Sequence, residues 1–301
     1  MSERRMILAV GNLTIDEVSI GGERRVQAGG ASLYASAAAA RLQTDVCVVS
    51  KVGGDYPEEY IKDLVKAGIN TRGVKRINGA SSTRFQLDYR GEERHLYLRG
   101  KCRRIEPEDV ADTNAEAVHI GPVFDEVPPR TVIYLSAEHG LLSLDPQGYV
   151  RRVGKDRKVR PKSWFDARVL SRPHVFKCSA QELRLITGHE DPWEGMLKVR
   201  HQGPEIVIVT LGKQGALMMA GENRYHIQAF PITTPDPTGA GDAFAGGFLS
   251  QYLRDHDAVW SASIGSAVAS LLIETRNREI CGSNRSIRER ANWISERTEH
   301  L

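Results

Sequence analysis

The residues with the most chemical content lie at 235–248, which read Pro-Asp-Pro-Thr-Gly-Ala-Gly-Asp-Ala-Phe-Ala-Gly-Gly-Phe. Pro235 and Pro237 bar a helix before Thr238, because proline lacks the N–H and its ring clashes with the preceding turn. Gly239, Ala240 and Gly241 permit a tight turn whose backbone N–H groups point the same way. From Asp242 onward the pattern is helical, with Phe244 and Phe248 four residues apart. A glycine turn that opens a helix gathers free N–H donors and roughly half a positive charge. Gly239–Gly241 is therefore an anion hole, and Asp242 is a carboxylate placed inside it. It would repel a bound phosphate unless it had another task. Two tasks suit it: general base toward a hydroxyl while the amides stabilise a transferring phosphoryl group, or a cap on its own helix beside a structural turn. The segment is not a Walker A loop. It is not a dinucleotide fingerprint either, since the third residue after Gly241 is Phe244 and a dinucleotide turn would follow the first strand.

Other chemistries find little support. The nine histidines are scattered without metal-ligand spacing, and no GxSxG elbow occurs. The four cysteines, Cys47, Cys102, Cys178 and Cys281, form no CxxC pair, so neither a disulfide scaffold nor a zinc ribbon is indicated and a reducing cytoplasm is the expected setting. In 301 residues, 41 basic side chains nearly balance 38 acidic ones, which argues against bulk attraction to nucleic acid. The uncharged run at 261–273 is shorter than the roughly 20 residues a bilayer span requires, so no membrane partner is expected. The apolar run after Arg4 and Arg5 is too short for a secretory leader.

These candidate residues need a scaffold, and the chain alternates the elements of one. Residues 6–10 read as a buried strand ending at Gly11-Asn12, and 31–42 as an alanine-rich helix starting after Gly29-Gly30. Residues 46–50 read as a β-branched strand, and 58–67 as an amphipathic helix closed by Gly68. Further short apolar strands are expected at 118–120, 141–144, 175–177 and 206–211, with helices at about 240–253 and 260–275. This alternation predicts a mostly parallel, helix-covered sheet. Two hairpins interrupt it, one near 14–27 and one near 83–104, where Phe85, Leu87 and Tyr89 alternate on one face. Residues 151–162 carry seven basic residues and one acid, Asp156. They suit either a solvated loop or an anion-steering patch near a phosphate site.

The stretch 236–244 resembles the C-terminal signature of the ribokinase, or PfkB, family of ATP-dependent sugar and nucleoside kinases. Gly11-Asn-Leu-Thr-Ile-Asp16, Gly29-Gly30 with its alanine helix, Val52-Gly-Gly-Asp55 and Val209-Thr-Leu-Gly-Lys-Gln-Gly215 are similar to further family segments. The resemblance implies a single α/β ribokinase-like domain over 1–301, with the two hairpins forming a small β-sheet lid over the substrate. It implies Asp242 as catalytic base, Gly239, Ala240 and Gly241 as anion hole, and Asp16 with the Gly29 and Gly30 backbone on substrate hydroxyls. Thr210, Gly212 and Gly215 would line ATP, and Glu182, matching the glutamate of an NxxE motif whose Asn is here Ser179, would organise the water shell of Mg²⁺.

Where many members carry an Asn, this chain has Tyr34, which is either a substrate contact or a core aromatic. Together with Leu144-Asp145-Pro-Gln-Gly-Tyr-Val150 it resembles the archaeal myo-inositol kinase branch, and Gln147 then faces the substrate cleft. Asp16 also suits a strand-end cap, and Glu182 a surface helix position. The expected activity is ATP-dependent phosphorylation of a small polyol, a sugar or a cyclitol such as myo-inositol. Nucleoside kinase and 2-keto-3-deoxy sugar acid kinase are the alternatives within enzymes. A non-catalytic sugar- or nucleotide-binding regulator is the alternative outside them. An exposed strand edge on the lid makes a homodimer through the lid a further expectation.

Overall fold

The structure, a computed structural model, describes residues 5–90, 93–111, 113–232, 238–274 and 283–301, with the backbone alone described at 90, 93 and 94. Pro235, Pro237, Cys281 and the expected helix end at 275 lie outside the described residues. Strand β1 (Met6–Val10) lies between β4 (Asp45–Gly53) and β8 (Ala117–Ile120), parallel to both. Side chains alternate between faces along a strand, so Ile7 and Ala9 enter one apolar cluster while Leu8 and Val10 enter another. Both faces are covered, which explains why this strand is apolar throughout. Beyond β8 run β9 (Leu141–Leu144), β12 (Val175–Ser179) and β13 (Ile206–Thr210), all parallel. Three antiparallel strands follow, β14 (Ala216–Ala220), β15 (Asn223–Ile227) and β16 (Glu299–His300). On the opposite edge β5 (Asn70–Ile77) pairs in parallel with β4. The result is one ten-stranded sheet.

Helices cover both faces. The cluster on one side takes Ala38 of α1 (Ala31–Arg41), Leu64 of α2 (Glu58–Lys66), Phe244 and Phe248 of α7 (Ala240–Asp255), Ile264 of α8 (Ala258–Glu274) and Ile287 of α9 (Asn284–Ser295). The other side takes Leu135 of α3 (Pro129–Glu138), Leu170 of α4 (Ala167–Leu170), Leu183 of α5 (Ala180–Thr187) and Val199 of α6 (Pro192–Arg200). From β1 the chain crosses to β4 on one side, while β8 pairs on the other. This reversal opens a crevice at the carboxyl ends of the strands, where ligands of such sheets bind.

The two expected hairpins join into one small sheet. Strand β2 (Thr14–Ile20) pairs antiparallel with β3 (Glu23–Gly29) and parallel with β6 (Thr83–Arg90), which pairs with β7 (Glu93–Gly100). Its apolar face buries Val18, Phe85, Leu87 and Leu98 against Val123 and Phe124. The loop reading of residues 151–162 needs correction. Strand β10 (Arg151–Val153) and β11 (Val159–Pro161) form a hairpin there, and Tyr97 of β7 bridges to Lys158 beside it. The charges concealed it, because a two-stranded ribbon with one solvent face carries no apolar run. Strand β5 escaped for the same reason, since Arg72, Lys75 and Arg76 punctuate an edge strand.

Candidate active site

Helix α7 begins where the glycine turn places it. Gly239 is its N-cap at φ 83°, a left-handed conformation that glycine adopts without a Cβ penalty, and no side chain caps this end. The first-turn amides have no intrahelical partners, and Gly239 and Gly241 border the larger of the cavities described below. The ring of Tyr34 packs beneath the turn, where a Cβ on residue 239 would stand 2.8 Å from ring carbons. A Cβ on residue 241 would stand 2.9 Å from Lys177 Nζ, so Gly241 lets a buried ammonium approach the turn.

Asp242 does not cap its helix. Its Oδ1 accepts a 2.9 Å hydrogen bond from Gln147 Nε2, and Gln147 Oε1 accepts one of 2.7 Å from Arg151 Nη2. Arg151 Nη1 also donates to the Val123 carbonyl at 2.8 Å. Lys177 is buried and paired with Asp145, which follows the end of β9. Protein encloses Asp242 except toward the cavity. Burial pushes its carboxyl up to about 7, with Asp145 adding to the rise and Lys177 and Arg151 opposing it. Such a carboxylate can exchange a proton near neutrality.

Asp242 borders two adjoining cavities. The smaller, about 50 Å³, lies under the small sheet and is bounded by Thr14, Asp16, Gly30, Tyr34 and Gln147. Asp16 is buried and accepts a 2.7 Å hydrogen bond from Thr14 Oγ1. Gly29 ends β3 opposite Thr14, and Gly30 is the N-cap of α1 at φ 105°. Phe85, Leu87 and Leu96 close the cavity from the small sheet. Tyr89 of that sheet hydrogen-bonds Thr238 at the entrance to α7. Below, Glu126 is buried and accepts from the amides of Asn12, Val123 and Phe124 at 3.0, 2.8 and 2.7 Å, tying the end of β1 to the cavity floor.

The larger cavity, about 430 Å³, holds the Gly239–Gly241 turn, Lys177, Glu182 and Thr210 on its border. Glu182 Oε2 accepts from the Ser179 amide at 2.8 Å while Ser179 Oγ accepts from the Glu182 amide at 3.3 Å, a reciprocal capping box. A hydroxyl can make this closure at the N-cap, which gives Ser179 a local reason. Thr210 Oγ1 donates to the Cys178 carbonyl at 3.4 Å. Gly212 and Gly215 belong to a short 3₁₀ turn and do not border the cavity. Asp145, Glu182 and Asp242 border the same space, and carboxylate oxygens are the ligand type a hard divalent cation such as Mg²⁺ takes one or two at a time. Among the described residues no group of three or more His, Cys, Asp or Glu side chains is placed to hold a metal ion. That is compatible with an ion held largely by water and phosphate.

Comparison with known proteins identifies the family. Residues 3–284 match the pfkB family of carbohydrate kinases. The chain belongs to that family. It is 28% identical over 261 residues to a cytidine kinase of Thermococcus kodakarensis, covering 82% of this chain and 88% of that one. It is 27% identical over 293 residues to a nucleoside kinase of Methanothermobacter thermautotrophicus, covering 91% of each. In fold it is similar to a pyrophosphate-dependent kinase of the ribokinase family complexed with a pyrophosphate analog and myo-inositol, with a TM-score of 0.77 at 23% identity over 89% of this chain and 94% of that chain. The protein is thus a ribokinase-like kinase of the sugar and nucleoside class. No described helix is long and apolar enough to cross a membrane.

In this pfkB-family chain several site residues were not singled out from sequence. Lys177 is the clearest: a lysine inside the apolar strand Val-Phe-Lys-Cys-Ser is a signal, because a buried ammonium requires a partner. Arg151, Lys158 and Arg160 were legible only as members of a basic run. The structure brings Asp16, Tyr34, Gln147 and Asp242 to one cavity, while Gly212 and Gly215 stand apart from both.

Proposed function

We propose that this kinase transfers the terminal phosphoryl group of ATP to a hydroxyl of a small polyol, a sugar or a cyclitol such as myo-inositol. The observation that carries the reading is the position of Asp242 on the border of both cavities, beside Asp16 on one side and the amide turn on the other. A polyol in the smaller cavity would offer hydroxyls to the Asp16 carboxylate, to the Gly29–Gly30 backbone and to Tyr34. Asp242 would accept the proton of the attacking hydroxyl, and the Gly239–Gly241 amides would hold the charge that develops on the phosphoryl oxygens. Gln147, with Arg151 behind it, would fix the Asp242 carboxylate toward the acceptor. Asp145 and Glu182 would hold Mg²⁺ through water, and the ion, when bound, supplies neutralisation of phosphate charge. The small sheet would act as a lid, because its apolar face closes the acceptor cavity and would exclude water as a competing acceptor.

The resemblance of Tyr34 and residues 144–150 to the myo-inositol kinase branch favours a compact polyol, whereas the similarity to cytidine and nucleoside kinases favours a nucleoside. A panel of inositols, hexoses, 2-keto-3-deoxy sugar acids and nucleosides, read by coupled ADP formation, separates them. We expect the highest kcat/KM with an inositol or a hexose; faster turnover of cytidine would overturn the polyol assignment. Buried, unpaired Cys47, Cys102 and Cys178 suit a cytoplasmic setting. A second copy of the chain would pair along β3, since the β7 edge is engaged by Lys158 and by the Arg157 carbonyl, which accepts from the Leu98 amide at 3.0 Å.

A further inference from the structure

Arg151 makes contacts that reach beyond the bridge to Asp242. It opens β10, and its guanidinium forks: Nη2 donates to Gln147 Oε1 at 2.7 Å and Nη1 to the Val123 carbonyl at 2.8 Å. Arginine has no acceptor atom, so the oxygen of Gln147 must face Arg151 and its amide nitrogen must face Asp242. Without the guanidinium the amide can turn over and set its oxygen against the carboxylate, which repels it. The fork therefore fixes the polarity of the bridge that holds Asp242.

Both anchors of the fork lead to the small sheet. Val123 packs in one apolar cluster with Val18, Phe85, Leu87 and Leu98 of that sheet. Strand β10 pairs with β11, whose Val159 joins the same cluster. In the turn between them the Arg157 carbonyl accepts from the Leu98 amide at 3.0 Å. The Gln147 end is held as firmly. Its own amide donates to Asp145 Oδ1 at 3.2 Å, and the Tyr149 hydroxyl donates to the Val127 carbonyl at 2.6 Å. A Cβ on residue 148 would stand 2.5 Å from the Pro122 carbonyl oxygen, so Gly148 lets this loop lie directly on the 121–127 loop. Close packing of this kind transmits displacement rather than absorbing it.

We propose that Arg151 is a positioning residue that couples the small sheet to Asp242. When that sheet is seated on Val123 and on the β10–β11 hairpin, the fork holds Gln147 in the orientation that aligns the carboxylate with the acceptor. The base is then set where the acceptor cavity is closed. This rests on the kinase reading for the role of Asp242.

The test has two readouts. One is the Gln147 side-chain amide signal in ¹H–¹⁵N spectra of the chain alone, assigned by its absence in Gln147→Met. The other is kcat with whichever acceptor of the panel above turns over fastest. Arg151→Met should shift the Gln147 signal and lower kcat about 10-fold, with the KM of donor and acceptor changed under about 3-fold. Its acid limb should also move to higher pH. Arg151→Lys keeps the charge that, with Lys177, opposes the rise that burial, Asp145 and Glu182 impose on the Asp242 carboxyl, but it cannot fork. Its kcat should fall about as far while the acid limb stays in place. Leu98 borders neither cavity, so Leu98→Ala loosens the small sheet alone. It should move the same Gln147 signal and lower kcat about 3-fold. Added to Arg151→Met it should cost under about 2-fold more, because the link is already broken. Leu98→Val gives the same reading in smaller measure should Leu98→Ala fold poorly. An unmoved Gln147 signal in Leu98→Ala, additive losses in the double variant, or full kcat in Arg151→Lys overturns the coupling. If the kinase reading were wrong, no acceptor would be turned over while the Gln147 signal still answered to Arg151 and Leu98. If only the coupling were wrong, turnover would remain and the signal would ignore Leu98.

Discussion

Asp242→Asn isolates the proposed proton-accepting role from everything else this side chain does. Asn is isosteric, and its amide oxygen can keep the 2.9 Å hydrogen bond from Gln147. The turn at Gly239–Gly241, its amides and the buried Lys177–Asp145 pair remain. Only the ionisable oxygen is lost. General-base catalysis contributes typically 10²–10⁴-fold, equivalent to about 3–5 kcal/mol of barrier, and kcat should fall by that factor. Donor affinity should hold or tighten, because a negative charge beside the anion hole is removed. The pH profile adds a second readout. The base works deprotonated, so wild-type kcat should be lost as pH falls through about 7, and the residual activity of Asp242→Asn should lack that limb. Stability guards against a trivial explanation. A carboxyl whose folded pKa is raised destabilises the fold as pH climbs from the ordinary carboxylate range to about 7. The neutral variant escapes that effect and should melt no lower than wild type at pH 8. Near-normal kcat in a well-folded Asp242→Asn protein, measured at saturating donor and acceptor, would refute the general-base argument.

Two further outcomes follow from the same network. Lys177→Met removes the positive charge that opposes the rise of the Asp242 carboxyl and strands buried Asp145. The acid limb of kcat should therefore move to higher pH and unfolding stability should drop by about 3–5 kcal/mol; an unmoved limb would show that Lys177 does not face the reacting carboxylate. Glu126→Ala strips the acceptor from three buried amides, at roughly 1–3 kcal/mol for each group left unsatisfied. Urea unfolding should show a loss of at least about 3 kcal/mol, with a smaller loss in Glu126→Gln, and equal stability of the two variants would contradict the satisfied-amide account.

The family, the fold class and the glycine turn that opens α7 were legible in the chain itself. A glycine turn entering a helix, an apolar first strand and a βα alternation are local patterns, and local sterics and burial dictate their outcome. Asp242 could be named from its glycine turn, and Asp16, Tyr34 and Gln147 as separate candidates through the family resemblance; in the structure Asp16 lies within β2 and Tyr34 within α1. Their convergence on one cavity could not be read, since residues 16 and 242 meet only through the order in which the strands pair. The capping box at Ser179 and Glu182 was within reach, being a four-residue pattern, yet it was read as a departure from a family motif. The hairpin at 151–161 was not legible: its strands are three residues each and its partner is β7, far away in sequence. The same holds for charge. A lysine inside an apolar strand announces that a partner must exist, but only packing decides that the partner is Asp145 and that the pair lies beside Asp242. Sequence determined which elements form, because propensity and periodicity act between near neighbours. The tertiary structure decided the raised Asp242 carboxyl, the Gln147 bridge and the Lys177–Asp145 pair, because desolvation and charge depend on distance through space.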